Sequence, residues 1–84
     1  MTTLLQELQT GHPYLEGDPI PTQVNRGQMQ AFILRFNPPS GVRLLTLAEL
    51  EDGTWVCHQN NQAPVRRWMT PDGALTAYER ELGV

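Results

Sequence analysis

The sequence contains no lysine and a single cysteine, Cys57. Without lysine, Schiff-base and amine catalysis are excluded, and every cationic contact falls to one of six arginines, whose guanidinium does not lose its charge. One cysteine rules out an intrachain disulfide and a zinc site built on several thiolates. Long apolar runs are also missing: Phe32-Ile33-Leu34 is stopped by Arg35, far short of the roughly 20 residues that span a bilayer. The opening Met1-Thr2-Thr3-Leu4-Leu5-Gln6-Glu7 has neither the basic region nor the apolar stretch of a secretory leader. The expectation is a cytoplasmic protein with no membrane contact.

Aromatic residues make up 7% of the chain and apolar residues 39%, which suffices for a lean core. With 84 residues the chain reads as one small domain, 1–84, and a chain of this size buries only about 60–65% of its unfolded surface. A partner or a second copy, as in a homodimer, would supply further burial. The net charge of −3 argues against general attraction to phosphate backbones or anionic lipid.

The pattern along the chain predicts an α+β fold, an antiparallel meander of three to four strands with a C-terminal helix packed on one face and a short N-terminal helix. Thr3 with Gln6 forms a capping box ahead of Leu4, Leu5 and Leu8, and Gly11 ends that first helix. Residues 11–27 are an extended arm, because Pro13, Pro19, Pro21, Gly11, Gly17 and Gly27 interrupt any helix or inner strand. Tyr14, Leu15, Ile20 and Val24 give the arm apolar content, so it either wraps its own core or binds a partner. Met29 to Phe36 reads as a central strand, apolar on both faces. Val42 to Glu51 alternates imperfectly and is read as a strand, with a rival: Thr46-Leu47-Ala48-Glu49 also fits a capping box, which would make Leu47 to Asp52 a short helix. Glu51-Asp52-Gly53-Thr54 favours the strand, as a hairpin turn leading into Trp55-Val56-Cys57. Val65 to Met69 is a short edge strand after Pro64. Thr70-Pro71-Asp72 opens the last helix, with Thr70 as N-cap, Pro71 at the first turn and Asp72 at the positive end of the dipole, and Gly83 closes it. Leu75, Tyr78 and Leu82 form its buried stripe, leaving Asp72, Glu79 and Arg80 toward water.

Catalytic chemistry finds little support in these residues. Cys57 and His58 are adjacent on a strand and point to opposite faces, so they do not share a metal ion or act as nucleophile and base. No His-x-x-x-His, Cys-x-x-Cys, calcium loop or phosphate-binding glycine loop is present. Neither metal nor cofactor is expected, and the chain is not read as an enzyme. The residues that stand out are Arg66, Arg67 and Trp68, with Trp55 nearby and Tyr14 and Ile20 on the arm, because arginine and tryptophan are enriched at binding hot spots. Against this stands burial of Trp68 under the last helix, with the arginines paired to Glu79, Glu81 or Asp72. If exposed, the cluster suits a protein-binding module, an accessory subunit, adaptor or inhibitor of a larger protein. The alternative is single-stranded nucleic-acid binding, with tryptophan stacked on bases and arginine on phosphates.

Overall fold

The computed structural model describes Leu8, residues 11–59 and residues 66–83. Four strands, β1 (Leu15–Pro21), β2 (Gln28–Phe36), β3 (Arg43–Leu50) and β4 (Trp55–Gln59), precede one helix, α1 (Pro71–Leu82). The strands form a meander in the order β1-β2-β3-β4, each antiparallel to its neighbour. The expected first helix lies outside the described residues apart from Leu8 and Gly11.

Register decides which side chains meet. Phe32 lies opposite Leu47, Leu34 opposite Leu45 and Leu47 opposite Cys57. Because side chains alternate along a strand, this set shares one face with Phe36 and Trp55. Leu8, Ala74, Leu75 and Tyr78 complete the main core there. The other face holds a smaller cluster of Ala31, Ala48 and Val56, with Leu50 against it. The capping-box signal at Thr46 to Glu49 loses to strand pairing on both sides of β3, so the helical alternative for Leu47 to Asp52 is not formed. The hairpin at Glu51 to Thr54 closes as read, with Gly53 at φ 86° and the Leu50 amide donating to the Thr54 carbonyl at 2.7 Å.

Two sequence expectations are corrected. The arm contains a strand, because an edge strand needs backbone partners on one side only and so tolerates Pro19 and Pro21. A bulge between Glu16 and Ile20 absorbs the irregular stretch, with Gly17 in the left-handed region at φ 73°. The strand expected from Val65 to Met69 is, among the described residues, a single bridge between Trp68 and Trp55, whose amides donate to each other's carbonyls at 2.8 and 2.6 Å.

The helix matches its sequence signals at both ends. Thr70 is extended and its hydroxyl accepts from the Gly73 amide, Pro71 stands in the first turn, and Gly83 turns left-handed while its amide donates to the Glu79 carbonyl. The helix lies over β3 and β4. Over β2 the core is closed by the segment before β1: Leu8 is buried, and the Tyr14 ring stands edge-on to Phe36, which stands edge-on to Tyr78, each pair with centroids 6.0 Å apart.

Leu75 is fully buried. Leu75→Ala should therefore cost about 2–5 kcal/mol of unfolding free energy, and Thr70→Ala about 1 kcal/mol through the lost cap. Urea denaturation measures both, and a larger loss for Thr70→Ala would contradict this division between packing and capping.

Candidate functional site

The residues singled out in the sequence do not converge on one surface. Trp55 is 5% exposed, within the main core, and Tyr14 and Trp68 pack against that core half-buried. Trp68 is drawn in by its backbone bridge to Trp55 and by the start of the helix: a Cβ built on Gly73 would stand 3.7 Å from the Trp68 Cβ and 4.0 Å from its ring. All six aromatic side chains belong to this one core or pack against it. Arg67 is exposed and pairs with Asp52 of the β3–β4 turn at 2.9 Å, rather than with the helix carboxylates. Arg66 is exposed, as is Met69 at 82%. Ile20 is the residue of the original set that stands fully in solvent with a large apolar side chain, 63% exposed.

Ile20 leads to a surface that the sequence reading did not assemble. It lies opposite Ile33, Ile33 opposite Thr46 and Thr46 opposite His58, one row across the face that carries no helix among the described residues. Leu44, 51% exposed, belongs to the same face in the next row, opposite Arg35, whose guanidinium pairs with Glu16 at 3.2 Å. Ala31, Ala48 and Val56 form the row on the other side of Ile33 and Thr46 and are buried, with Leu50 packed against them. The surface is thus low and buried at its alanine side and exposes aliphatic side chains at Ile20 and Leu44. Its signal in the sequence was the second apolar face of Met29 to Phe36, which implies something to pack on that side.

A second cluster joins the arm to the helix. His12 is buried, with Nδ1 2.6 Å from a Glu79 carboxylate oxygen and Nε2 2.7 Å from one of Asp72. With both ring nitrogens engaged, neither is free to take a proton from a substrate. Asp72 is exposed, but the Glu79 side chain is only 15% exposed, which corrects the expectation that it faces water. Asp72 and Glu79 are seven residues apart, two turns of helix, and so share a face.

Cys57 stands near Glu79 on the core side of β4. Burial, with the Glu79 charge adding to it, pushes its thiol up to about 12, so it is not a nucleophile at neutral pH. Burial also raises the Tyr78 phenol, opposed by the neighbouring Arg43. Asp52 is lowered, first by the Thr54 hydroxyl and amide that bond it at 2.5 and 3.0 Å, then by Arg67. Among the described residues no group of three or more His, Cys, Asp or Glu side chains is placed to hold a metal ion, and no helix is long and apolar enough to cross a membrane. In comparisons with known proteins, no family model, no curated protein and no solved structure matches the chain.

Two outcomes follow from these environments. At pH 8, a disulfide reagent should modify native Cys57 at least about a hundredfold more slowly than the urea-unfolded chain, which exposes an ordinary thiol. Equal rates would show that Cys57 is not shielded. For Asp52 the folded carboxyl titrates below its unfolded counterpart, so its stabilisation is present above the unfolded value and is lost as pH falls through the folded one. The melting-temperature difference between wild type and Asp52→Ala should hold at neutral pH and shrink in acid below the ordinary value of 3.8. A difference that grows on acidification would reverse the assignment.

Proposed function

We propose that the chain is a small non-catalytic protein-binding module, an accessory subunit, adaptor or regulator that docks a larger protein in the cytoplasm. The observation that carries this reading is the exposure of Ile20 and Leu44 on the sheet face that has no second layer among the described residues, beside the buried Ala31, Ala48 and Val56. Aliphatic side chains that project from a rigid sheet lose little freedom on binding, and their burial favours association at about 25 cal/mol per Å² removed from water, before the cost of association. Arg35 and Glu16 at the margin of the face supply the polar rim that such surfaces carry. Arg66 and Met69 lie exposed beyond the bridge to β4 and are a second point of contact.

The nucleic-acid reading draws less support. Stacking on bases needs exposed aromatic rings, and all six are in or against the core on the helix side. Of the six arginines, Arg35 and Arg67 are neutralised by Glu16 and Asp52, which weakens any grip on phosphates.

Affinity capture from native extract, quantified for wild type, for Ile20→Arg/Leu44→Glu and for Arg66→Ala/Met69→Ala, tests the proposal. The first pair should remove the bound protein at least about tenfold and leave the melting temperature within a few degrees. The second should weaken it less. Recovery that neither pair changes would sink the proposal, as would micromolar, salt-sensitive binding to mixed single-stranded RNA or DNA in an anisotropy titration.

A further inference from the structure

Of the six arginines of this chain, Arg43 at the start of β3 is half-buried and the others are exposed. Two of the exposed ones, Arg35 and Arg67, have carboxylate partners in Glu16 and Asp52. Arg43 has no carboxylate partner among the described residues. A charge drawn partly out of water without a counter-ion costs more than the same charge at the surface. Its Nε is moreover closed off from solvent and meets no hydrogen-bond acceptor among the described residues. A donor in that position has given up its bond to water with nothing in exchange.

Alternation along β3 puts Arg43 on the side of Leu45 and Leu47, and the register sets it opposite Phe36 at the end of the core. An arginine so placed ordinarily lays its stem along apolar residues and carries the guanidinium out to water. That accounts for a buried stem and not for a buried Nε. The groups around the guanidinium are hydroxyls. Nη2 donates to the Ser40 Oγ at 3.4 Å, a long contact, and the guanidinium lies within hydrogen-bonding reach of the Tyr78 phenol. Ser40 is positioned by the turn between β2 and β3, in which the Gly41 amide donates to the Pro38 carbonyl at 2.9 Å and Gly41 is left-handed at φ 120°. Tyr78 is positioned by its edge-on contact with Phe36. A hydroxyl oxygen that accepts from Arg43 keeps a hydrogen to donate. Burial raises the Tyr78 phenol, so this hydroxyl stays protonated at neutral pH.

The guanidinium and the two hydroxyls make a set of donors with one positive charge, beside the exposed Ser40, Gly41 and Val42. We propose that Arg43, with the hydroxyls of Ser40 and Tyr78, binds a single carboxylate group that enters at the turn between β2 and β3. The planar fork of a guanidinium matches two carboxylate oxygens, and an oxygen drawn in beside it gives Nε the acceptor it lacks. The single cation sets the preference among anions. One carboxylate charge is balanced by Arg43, whereas phosphate near neutral pH carries up to two and leaves part of its charge uncompensated in a partly desolvated place. The aspartate or glutamate of a bound protein and a free organic acid share this chemistry. The site does not rest on the protein-binding reading, since Arg43 lies on the opposite side of the sheet from Ile20 and Leu44.

Sodium acetate titrated at neutral pH, against sodium chloride at equal ionic strength, tests the site through the arginine Nε–H cross-peaks in ¹⁵N spectra. In wild type the Arg43 cross-peak should shift along a saturating curve with acetate and not with chloride. Arg43→Gln should bind acetate about tenfold or more weakly. Ser40→Ala removes an exposed hydroxyl without touching the core, so it should keep the melting temperature and weaken acetate about threefold. It serves where Arg43→Gln does not fold. The same titration with N-acetylglutamate N-methylamide, whose one acid is the side chain, separates the two sources: tighter binding than acetate assigns the site to an acidic residue of a protein, and weaker binding to a free acid. The proposal is overturned by the absence of a saturating Arg43 shift in wild type, by an equal shift with chloride, by acetate affinity that neither variant changes, or by inorganic phosphate binding more tightly than acetate.

Discussion

Among the described residues one helix faces a four-stranded sheet, and the packing on that side follows from the mismatch. A helix of twelve residues is about 18 Å long and about 10 Å across with its side chains, whereas four strands spaced about 4.8 Å apart span roughly 14 Å between outer axes and more with their side chains. α1 lies over β3 and β4 and reaches β2 through the Tyr78 ring, which stands edge-on to Phe36. The segment before β1 adds Leu8 and Tyr14 to this core, so that Phe36 is flanked by the Tyr14 and Tyr78 rings. The opposite face has no second layer among the described residues. A chain this short concentrates its rings on one side of the sheet and leaves the other to small and aliphatic residues.

The same shortage of covering material explains why the residues most suggestive of binding are largely taken up by the fold. Trp68 stands opposite Trp55, which fixes it to the helix side of the sheet, and the cap at Thr70 two residues later brings Gly73 down beside its ring. Asp52 draws Arg67 across the β3–β4 turn. The polar and aromatic groups of this corner satisfy one another, and large apolar area remains in water at Ile20, Leu44 and Met69. The prolines of β1 limit strand addition along that edge.

Most of the fold was legible because its signals are local. The helix boundaries follow from Thr70, Pro71 and Gly83, and β2, β3 and β4 follow from apolar runs separated by Asn37-Pro38-Pro39 and by Asp52-Gly53. β1 was not legible: two prolines and a bulge erase its alternation, and its pairing depends on β2, not on its own sequence. The orientation of Trp55 was legible from its shared parity with Cys57, but that of Trp68 depended on a bridge across the chain. The His12 cluster was hidden for the same reason, since its partners lie 60 and 67 residues away. The two-turn spacing of Asp72 and Glu79 marks a shared helix face without naming what occupies it.

The His12 bridge and the sheet face are structurally separable, and the bulge in β1 lies between them. Leu15 and Glu16 pair with Phe36 and Arg35 on one side of it, and Ile20 and Pro21 pair with Ile33 and Phe32 on the other, with Gly17 turning left-handed between. The bulge interrupts the ladder, so the two stretches of β1 are each set by their own pairing to β2. Ile20 is held by its own pairing to β2, a strand that is itself paired on both sides. The row from Ile20 to His58 is thus positioned by strand pairing alone, independently of the His12 bridge on the helix side of the domain.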